Sequence, residues 1–262
     1  RAPRVVVAGG SLESPSLLLR SGIGGPAVGK YLHLHPVPAF LALYPEPQTP
    51  WWGAPMTAMV DEFADIEAGY GFLLQCLHWA PVVLSNIIAR SSWAEHKATM
   101  ARLAHAATFI GLVRDRGHGT VTIDENGDSV VHYSLTDELD VRSARKAIEV
   151  QIRAHAEAGA DEIVPLSTQP TRWRRGDDLE AFIAEVQDTP LTAAGGITLL
   201  TAHQMSSCRM GTDPATSVAN PWGELHDTPG VYIGDASAMP TASGGQPHDL
   251  DHGARPPDRG GD

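Results

Sequence analysis

The sequence predicts a mixed fold in which an α/β part is joined to an α+β part. An apolar run, Val5–Ala8, leads through Gly9-Gly10-Ser11 into a helical segment, and this strand–turn–helix order is typical of an α/β unit. Asn126-Gly127 separates two alternating segments, which is the pattern of an antiparallel hairpin. Two amphipathic segments after the hairpin predict helices that cover a sheet.

The first strand and helix follow from local composition. The β-branched residues of Val5–Ala8 are typical of a buried parallel strand. The next segment, Glu13–Arg20, predicts a helix with Ser11 as its N-cap, and Ser21-Gly22 ends this helix.

The middle of the chain predicts an antiparallel sheet with helices. Aromatic residues between positions 38 and 91 alternate as they do in strands joined by loops, and residues 91–105 predict a helix. A meander is predicted over Ala107–Val113, Thr120–Ile123 and Ser129–Tyr133. Two helices follow, one beginning near Thr136 or Asp137 and ending at Gly159, the other beginning near Asp177. Arg172, Arg174 and Arg175, between these helices, are interpreted as a solvated loop.

Composition limits the partners and the setting. The chain has 262 residues, of which 42% are hydrophobic, so it buries a core, and its net charge of −12 argues against nucleic acid and anionic membranes as partners. Two cysteines, Cys76 and Cys208, give no disulfide framework and favour a reducing, cytoplasmic setting. There is no apolar run of membrane-spanning length and no signal peptide. The chain opens without Met directly on a strand, which we interpret as the middle of a longer protein.

Two stretches carry the functional signal. Residues 201–211 read Thr-Ala-His-Gln-Met-Ser-Ser-Cys-Arg-Met-Gly, and the strand Val231–Ile233 then runs into Gly-Asp-Ala-Ser. The start of the chain reads Gly10-Ser11-x-x-Ser14-Pro15-x-x-Leu18-Leu19-x-Ser21-Gly22-Ile23-Gly24. Both stretches, in this order, resemble signatures of the glucose–methanol–choline (GMC) family of flavin oxidoreductases. Leu-His-Leu-His-Pro at 32–36 and Leu-Val-Arg-Asp-x-Gly-x-Gly-x-Val at 112–121 resemble its long-chain alcohol oxidase branch.

The resemblance implies the C-terminal part of a Rossmann-type FAD-binding domain, with an inserted antiparallel-sheet substrate domain flanked by helices. Residues 1–35 would be a strand–turn–helix piece of the FAD domain, 36–196 the substrate domain, and 197–245 the return to the FAD domain with the active-site motif. Residues 246–262 are expected to be a disordered tail produced by a shifted reading frame. Because the family's Gly-x-Gly-x-x-Gly fingerprint is missing, we expect this fragment alone to hold FAD weakly and to be inactive.

The same resemblance assigns the site. FAD is the implied cofactor, a small-molecule alcohol the implied substrate, and His203 the implied catalytic base, a role that suits an imidazole titrating near neutrality. Gln246 stands where the family has a second catalytic Asn or His, and Ser206-Ser207 stand where it has Gly-Thr. The implied cofactor-contacting residues are Gly10, Ser11, Ser14, Asp235, Ala236 and Pro247.

No metal site is predicted. His33 and His35 are two positions apart, but no further ligand types cluster near them, so we interpret them as part of a structural connection. The function hypothesis is oxidation of a long-chain alcohol to an aldehyde, with hydride transfer to flavin. Two alternatives stay open: another alcohol oxidase or dehydrogenase of the same family, and a non-catalytic remnant without bound FAD. An apolar substrate would also be compatible with association with a membrane.

Overall fold

The computed structural model describes residues 2–88, 92–167, 169–192 and 195–244. The helices are α1 (Gly10–Ser21), α2 (Pro81–Ile87), α3 (Trp93–Ala101), α4 (Glu138–Glu157) and α5 (Leu179–Asp188). The strands are β1 (Val5–Val7), β2 (Ala39–Leu43), β3 (Met59–Val60), β4 (Phe72–Cys76), β5 (Ala106–Val113), β6 (Thr120–Ile123), β7 (Ser129–His132), β8 (Glu162–Pro165), β9 (Trp173–Arg174) and β10 (Val231–Ile233). Within these ranges, no helix is both long and apolar enough to cross a bilayer.

The chain folds into two compact units that each use separate segments. The first unit comprises the described residues of Arg1–His35, Arg114–Asp137 and Thr201–Asp262, and the second comprises those of Pro36–Val113 and Glu138–Leu200. The first unit therefore includes the hairpin β6–β7, which lies inside the range 36–196 that we assigned to a substrate domain. The reason is packing: Ser129 Oγ donates to Ser16 Oγ of α1 at 2.8 Å, and the Val121 amide donates to the Gly29 carbonyl at 2.6 Å.

Gly29 is required at that contact. Its φ is +73°, a left-handed conformation that side chains rarely adopt, and a Cβ there would lie 2.0 Å from the Val121 carbonyl oxygen. The Gly29 amide also donates to the Ser207 carbonyl at 2.8 Å. Gly29 thus links the β6–β7 hairpin to residues 201–211, the segment that contains His203.

The first unit is built on a parallel strand pair. β1 pairs with β10, with Val5 opposite Val231, and the core beneath them includes Val7, Leu18 and Ile233. Val5 and Val6 are 47% and 63% exposed, so the prediction of a strand buried along its length was wrong for these two residues. In the described part of the chain β1 has one strand neighbour, and this leaves part of the pair uncovered.

Helix α1 begins earlier than predicted. It starts at Gly10 rather than Glu13, and Gly9 is its N-cap, without a side-chain cap from its own segment. Ser11 is therefore not the N-cap; it lies in the first turn, and its hydroxyl donates to the Gln204 carbonyl at 2.7 Å. The carboxylate of Asp235 accepts a hydrogen bond from the Gly10 amide at the start of the helix. The end of the helix agrees with the prediction, since Gly22 is a left-handed C-cap with φ +66°.

The second unit is a six-stranded sheet with helices, as predicted for the α+β part. The strand order is β3-β4-β5-β2-β8-β9, and every pair is antiparallel. Alternate residues of β2 face opposite sides: Leu41 joins one core with Leu84, and Phe40 joins another with Ile148 of α4 and Phe182 of α5.

Several predicted elements occur with changed partners or bounds. The predicted meander was wrong, because β5 pairs with β4 and β2, while β6 and β7 form their own two-stranded ribbon. The turn at Asn126-Gly127 joins that ribbon as predicted, with Gly127 at φ +84°. The helix predicted over residues 91–105 is shorter, with Ser92 as the N-cap of α3. The two later amphipathic helices are confirmed as α4 and α5, and Asp178 rather than Asp177 caps α5.

Candidate active site

The loop that carries His203 is tied to the segment 33–35 within the first unit. His33 and Met205 exchange two backbone hydrogen bonds, each 3.0 Å long. Thr201 Oγ1 donates to the Leu34 carbonyl and accepts from the His203 amide at 3.2 Å. The backbone on both sides of His203 is therefore fixed, and this limits where its imidazole can lie.

The imidazole of His203 is half-buried and lies against His35. The two Nδ1 atoms are 3.4 Å apart, and the rings meet edge to face at an interplanar angle of 82°. His35 is only 2% exposed, and its Nε2 lies 2.9 Å from the Ser243 carbonyl oxygen. Burial lowers the pKa of His35, and the nearby Asp115 and the Ser243 carbonyl oppose this effect only in part. His35 is therefore neutral at neutral pH.

A buried carboxylate, that of Asp115, lies beneath this histidine pair. Asp115 accepts hydrogen bonds from the Leu34 amide at 2.9 Å, the His35 amide at 3.1 Å and the Tyr133 hydroxyl at 3.1 Å. The His33 Nδ1 atom is 3.5 Å from its Oδ2. Burial by itself would raise the pKa of Asp115, but the neighbouring His33 and the Leu34 amide outweigh it and hold that pKa below its usual value.

The predicted cofactor-contacting residues cluster around a second carboxylate. Asp235 accepts from the Gly10 amide at 2.9 Å and the Ser14 hydroxyl at 2.5 Å through Oδ2, and from the Ser237 amide at 2.8 Å through Oδ1. The Ala236 carbonyl accepts from the Ser206 amide at 3.1 Å. The structure therefore brings together Gly10, Ser11, Ser14, Asp235 and Ala236.

This cluster is also joined to the His203 loop. Ser11 donates through its hydroxyl to Gln204, and its carbonyl accepts from the Ser207 hydroxyl at 2.6 Å. Ser206 has a φ of +72°, which explains why the family pattern has glycine at this position. The strand–helix turn, the Asp235 turn and the His203 loop thus form one hydrogen-bonded assembly.

Two of the predicted site residues, Gln246 and Pro247, lie outside the described residues. The expected tail, residues 246–262, lies outside them as well. Its disorder and its origin in a shifted reading frame therefore stay predictions. Among the residues that the structure describes, there is no group of three or more histidine, cysteine, aspartate or glutamate side chains suited to hold a metal ion.

Sequence reasoning missed Asp115 and Ser243, and it gave His35 a structural role only. Asp115 does lie within the Arg-Asp of the segment 112–121, directly after an apolar strand, and this was the available signal. A charged residue at the end of a buried strand needs partners. The identity of those partners, two backbone amides about 80 positions away, was not readable from the sequence.

The fold and this site define an oxidoreductase class. The chain belongs to the GMC oxidoreductase family: residues 115–249 match one GMC oxidoreductase profile and residues 1–37 match a second. The predicted family is therefore confirmed. The sequence is similar to that of the long-chain-alcohol oxidase FAO4A of Arabidopsis thaliana, with 32% identity over 255 residues that cover 92% of this chain and 34% of that protein. An uncharacterized GMC-type oxidoreductase of Mycobacterium tuberculosis, Rv0492c, is 30% identical over 92% of this chain and 36% of its own length.

Solved structures support the same fold. Pyridoxine 4-oxidase from Mesorbium loti matches with a TM-score of 0.67 at 22% identity, over 95% of this chain and 49% of that structure. Formate oxidase matches with a TM-score of 0.65 at 15% identity, over 95% and 52%. The predicted fold class is thus confirmed. The chain spans about a third of the length of the curated long-chain-alcohol oxidases and about half of these structures.

Proposed function

We propose that the protein carrying this chain is an FAD-dependent oxidoreductase that converts the CH–OH group of an alcohol to a carbonyl. The observation that carries this proposal is the placement of His203, half-buried, on a loop fixed by hydrogen bonds to residues 33–35 and joined to the Asp235 cluster. Long-chain primary alcohols are the proposed substrate class, supported by the similarity to long-chain-alcohol oxidases.

The residues around the Gly9-Gly10 turn fit a bound cofactor. Gly10 has a φ of +80°, and no atom lies within 4 Å of the position a Cβ would take, so the backbone there is open to approach. The hydroxyls of Ser206 and Ser237 are buried and, among the described residues, lack a hydrogen-bond partner. FAD, when bound, supplies the acceptor for the hydride of the alcohol.

Asp235 has a different role from a direct phosphate contact. Its carboxylate already accepts three hydrogen bonds, from Gly10, Ser14 and Ser237, and a second negative group beside it would be repelled. We therefore assign Asp235 to holding the turn, and the open backbone at Gly10 and the backbone of Ala236 to the approach of the cofactor.

His203 is the general base in this proposal. Oxidation of a primary alcohol removes the hydroxyl proton and a hydride from the adjacent carbon, and the C–O bond becomes a double bond. In our proposal the hydroxyl proton passes to the His203 imidazole, because histidine is the side chain that most often serves as a general base. A carbonyl product and a protonated His203 result from this step.

Rapid-kinetic reduction of flavin tests the proposal. In the full-length protein that carries this chain, His203→Ala should retain FAD, seen by its visible absorbance, and should lower the anaerobic reduction rate with a fatty alcohol by about 100-fold or more. His226→Ala is the matched control, since His226 contacts Ser217 in the same unit, and it should reduce at the unaltered rate. An unchanged rate in His203→Ala would place the base elsewhere. A full-length protein that stays colourless after reconstitution with FAD would favour the non-catalytic remnant.

A further inference from the structure

Asp115 occupies an unusual position for a carboxylate. It is completely buried, and its contacts include hydrogen bonds from the backbone amides of Leu34 at 2.9 Å and His35 at 3.1 Å. Burial of a carboxylate costs free energy unless hydrogen bonds compensate it, and in some proteins such a group fixes a local conformation. Here both amides belong to the turn that carries the His35 imidazole.

His35 has the backbone conformation that such a clamp would have to enforce. Its φ is +47°, in the left-handed region that few residues other than glycine adopt, histidine being among the types that enter it more often. Strained residues of this kind persist only when surrounding contacts determine them, and they concentrate at functional sites. The two amide contacts to Asp115 are made by Leu34 and by His35 itself, so they act directly on this strained stretch of backbone.

The held conformation fixes the tautomer of His35. The Ser243 carbonyl oxygen, 2.9 Å from Nε2, can only accept, so Nε2 of the neutral ring carries the proton. Nδ1 of His35 is then an acceptor, and it faces Nδ1 of His203 at 3.4 Å. His203 must donate across this contact, which puts its own proton on Nδ1 and its lone pair on Nε2.

We propose that Asp115 is a positioning residue for His203, acting through the backbone and imidazole of His35, and that this chain selects the His203 tautomer with the proton-accepting lone pair on Nε2. The inference rests on the proposed function, because a base needs that lone pair. It assigns to Asp115 and His35 the task of orienting His203, a task in which neither residue contacts the substrate.

Nitrogen-15 NMR of histidine side chains measures this directly in the chain itself, without turnover. In the unaltered chain, His203 should show a protonated Nδ1 and His35 a protonated Nε2. Asp115→Asn removes the charge and places an amide group against two backbone donors, so His203 should shift mainly to the Nε2–H form that prevails for imidazole in water. Tyr133→Phe is the matched control: it removes a third hydrogen bond to the same carboxylate but leaves both amide contacts, and His203 should keep its Nδ1 proton.

A second pair of variants acts on His35 itself. His35→Asn places an acceptor oxygen near the position of Nδ1, so the His203 Nδ1–H form should persist. His35→Gln keeps a donor toward Ser243 but loses the acceptor, so His203 should change tautomer. This pair decides the question if Asp115→Asn fails to fold, as judged by circular dichroism.

The outcomes separate this inference from the proposed function. A His203 tautomer that stays the same in folded Asp115→Asn and in His35→Gln would overturn the inference, even if alcohol reduces the flavin of the full-length protein. The expected tautomer changes in a full-length protein whose flavin no alcohol reduces would overturn only the proposed function. In an active protein, Asp115→Asn should also lower the flavin-reduction rate at least 10-fold with FAD retained, and Tyr133→Phe should not.

Discussion

The carboxylate of Asp235 accepts a hydrogen bond from the amide of Gly10 at 2.9 Å, although 225 positions separate the two residues. A helix leaves its first amides without partners inside the helix, and a neighbouring side chain usually caps them. In this chain the cap comes from the turn after β10, so the start of α1 and the Asp235 turn depend on each other.

Asp235→Asn tests this dependence. The variant replaces a charged acceptor of three hydrogen bonds by an amide that can accept fewer, so the free energy of unfolding of the chain should fall by roughly 1.5–3 kcal/mol. Ser14→Ala removes one of the three donors and should cost less, about 1 kcal/mol. Urea denaturation measures both values. Equal stabilities of the two variants and the unaltered chain would contradict a structural role for this carboxylate.

Ser206 offers a stabilising substitution. Its left-handed φ of +72° disfavours any side chain, and its buried hydroxyl has no partner among the described residues. Ser206→Gly should therefore raise the free energy of unfolding by about 1 kcal/mol. The neighbour Ser207 is the control, since its hydroxyl donates to Ser11 at 2.6 Å, and Ser207→Ala should lower stability by about 1 kcal/mol. A loss of stability in Ser206→Gly would refute the assignment of strain to this residue.

His155 makes the second unit sensitive to acid. It is fully buried, stacked on Phe109 at 4.3 Å and hydrogen-bonded to the Tyr44 hydroxyl at 2.8 Å, and burial lowers its pKa from 6.5 to about 3. The unfolded chain takes up a proton at this residue below pH 6.5, whereas the folded chain does so only near pH 3. The stability contribution is thus complete above pH 6.5 and is lost as the pH falls toward 3, by about 3 kcal/mol at pH 4.5.

The comparison that isolates His155 uses two changes. Tyr44→Phe together with His155→Phe removes the titrating ring and its hydrogen-bond partner, so no polar group is left unpaired. Stability measured between pH 7 and pH 4.5 should fall less steeply in this double variant than in the unaltered chain. Identical slopes would mean that His155 is protonated in the folded state at pH 4.5.

Arg172 is a partly buried ion-pair residue rather than part of a solvated loop. Its guanidinium contacts Glu162 and Glu95 at 2.6 Å each, and its side chain is 13% exposed. Glu162 also pairs with Arg102, so removal of Arg172 leaves two partly buried carboxylates with fewer partners. Arg172→Ala should therefore cost roughly 2–4 kcal/mol. Arg174→Ala, at an exposed position two residues away, should cost less than about 0.5 kcal/mol, and a similar cost for both would contradict this assignment.

Local sequence patterns predicted which helices, strands and turns form better than they predicted how the strands pair. The Asn126-Gly127 turn and the amphipathic helices α4 and α5 depend on neighbouring residues, so the sequence was sufficient to predict them. The pairing of β5 with β2 rather than β6 depends on segments far apart in the chain, and nothing in the local pattern of Ala106–Val113 distinguishes these partners.

In the candidate site, too, the part that depends on a local motif was predictable and the part that depends on distant residues was not. His203 was predictable because its neighbours in the chain form a recognisable motif. The parts that orient it, Asp115 and Ser243, were not, because Asp115 acts on amides rather than side chains and Ser243 acts through its carbonyl. Backbone groups occur in every residue, so a sequence carries no mark of which ones a carboxylate or an imidazole will contact.

The pairing of β1 with β10 has a consequence for the timing of folding. Val5 leaves the ribosome long before Val231, and at roughly 5–20 residues per second the delay is about 10 to 45 s. Throughout that interval Val5–Val7 lacks its partner β10, while the segments of the six-stranded sheet are already emerging. The parallel pair β1–β10 can therefore form only after every strand of the six-stranded sheet has been synthesised, so the second unit is complete in sequence before the first.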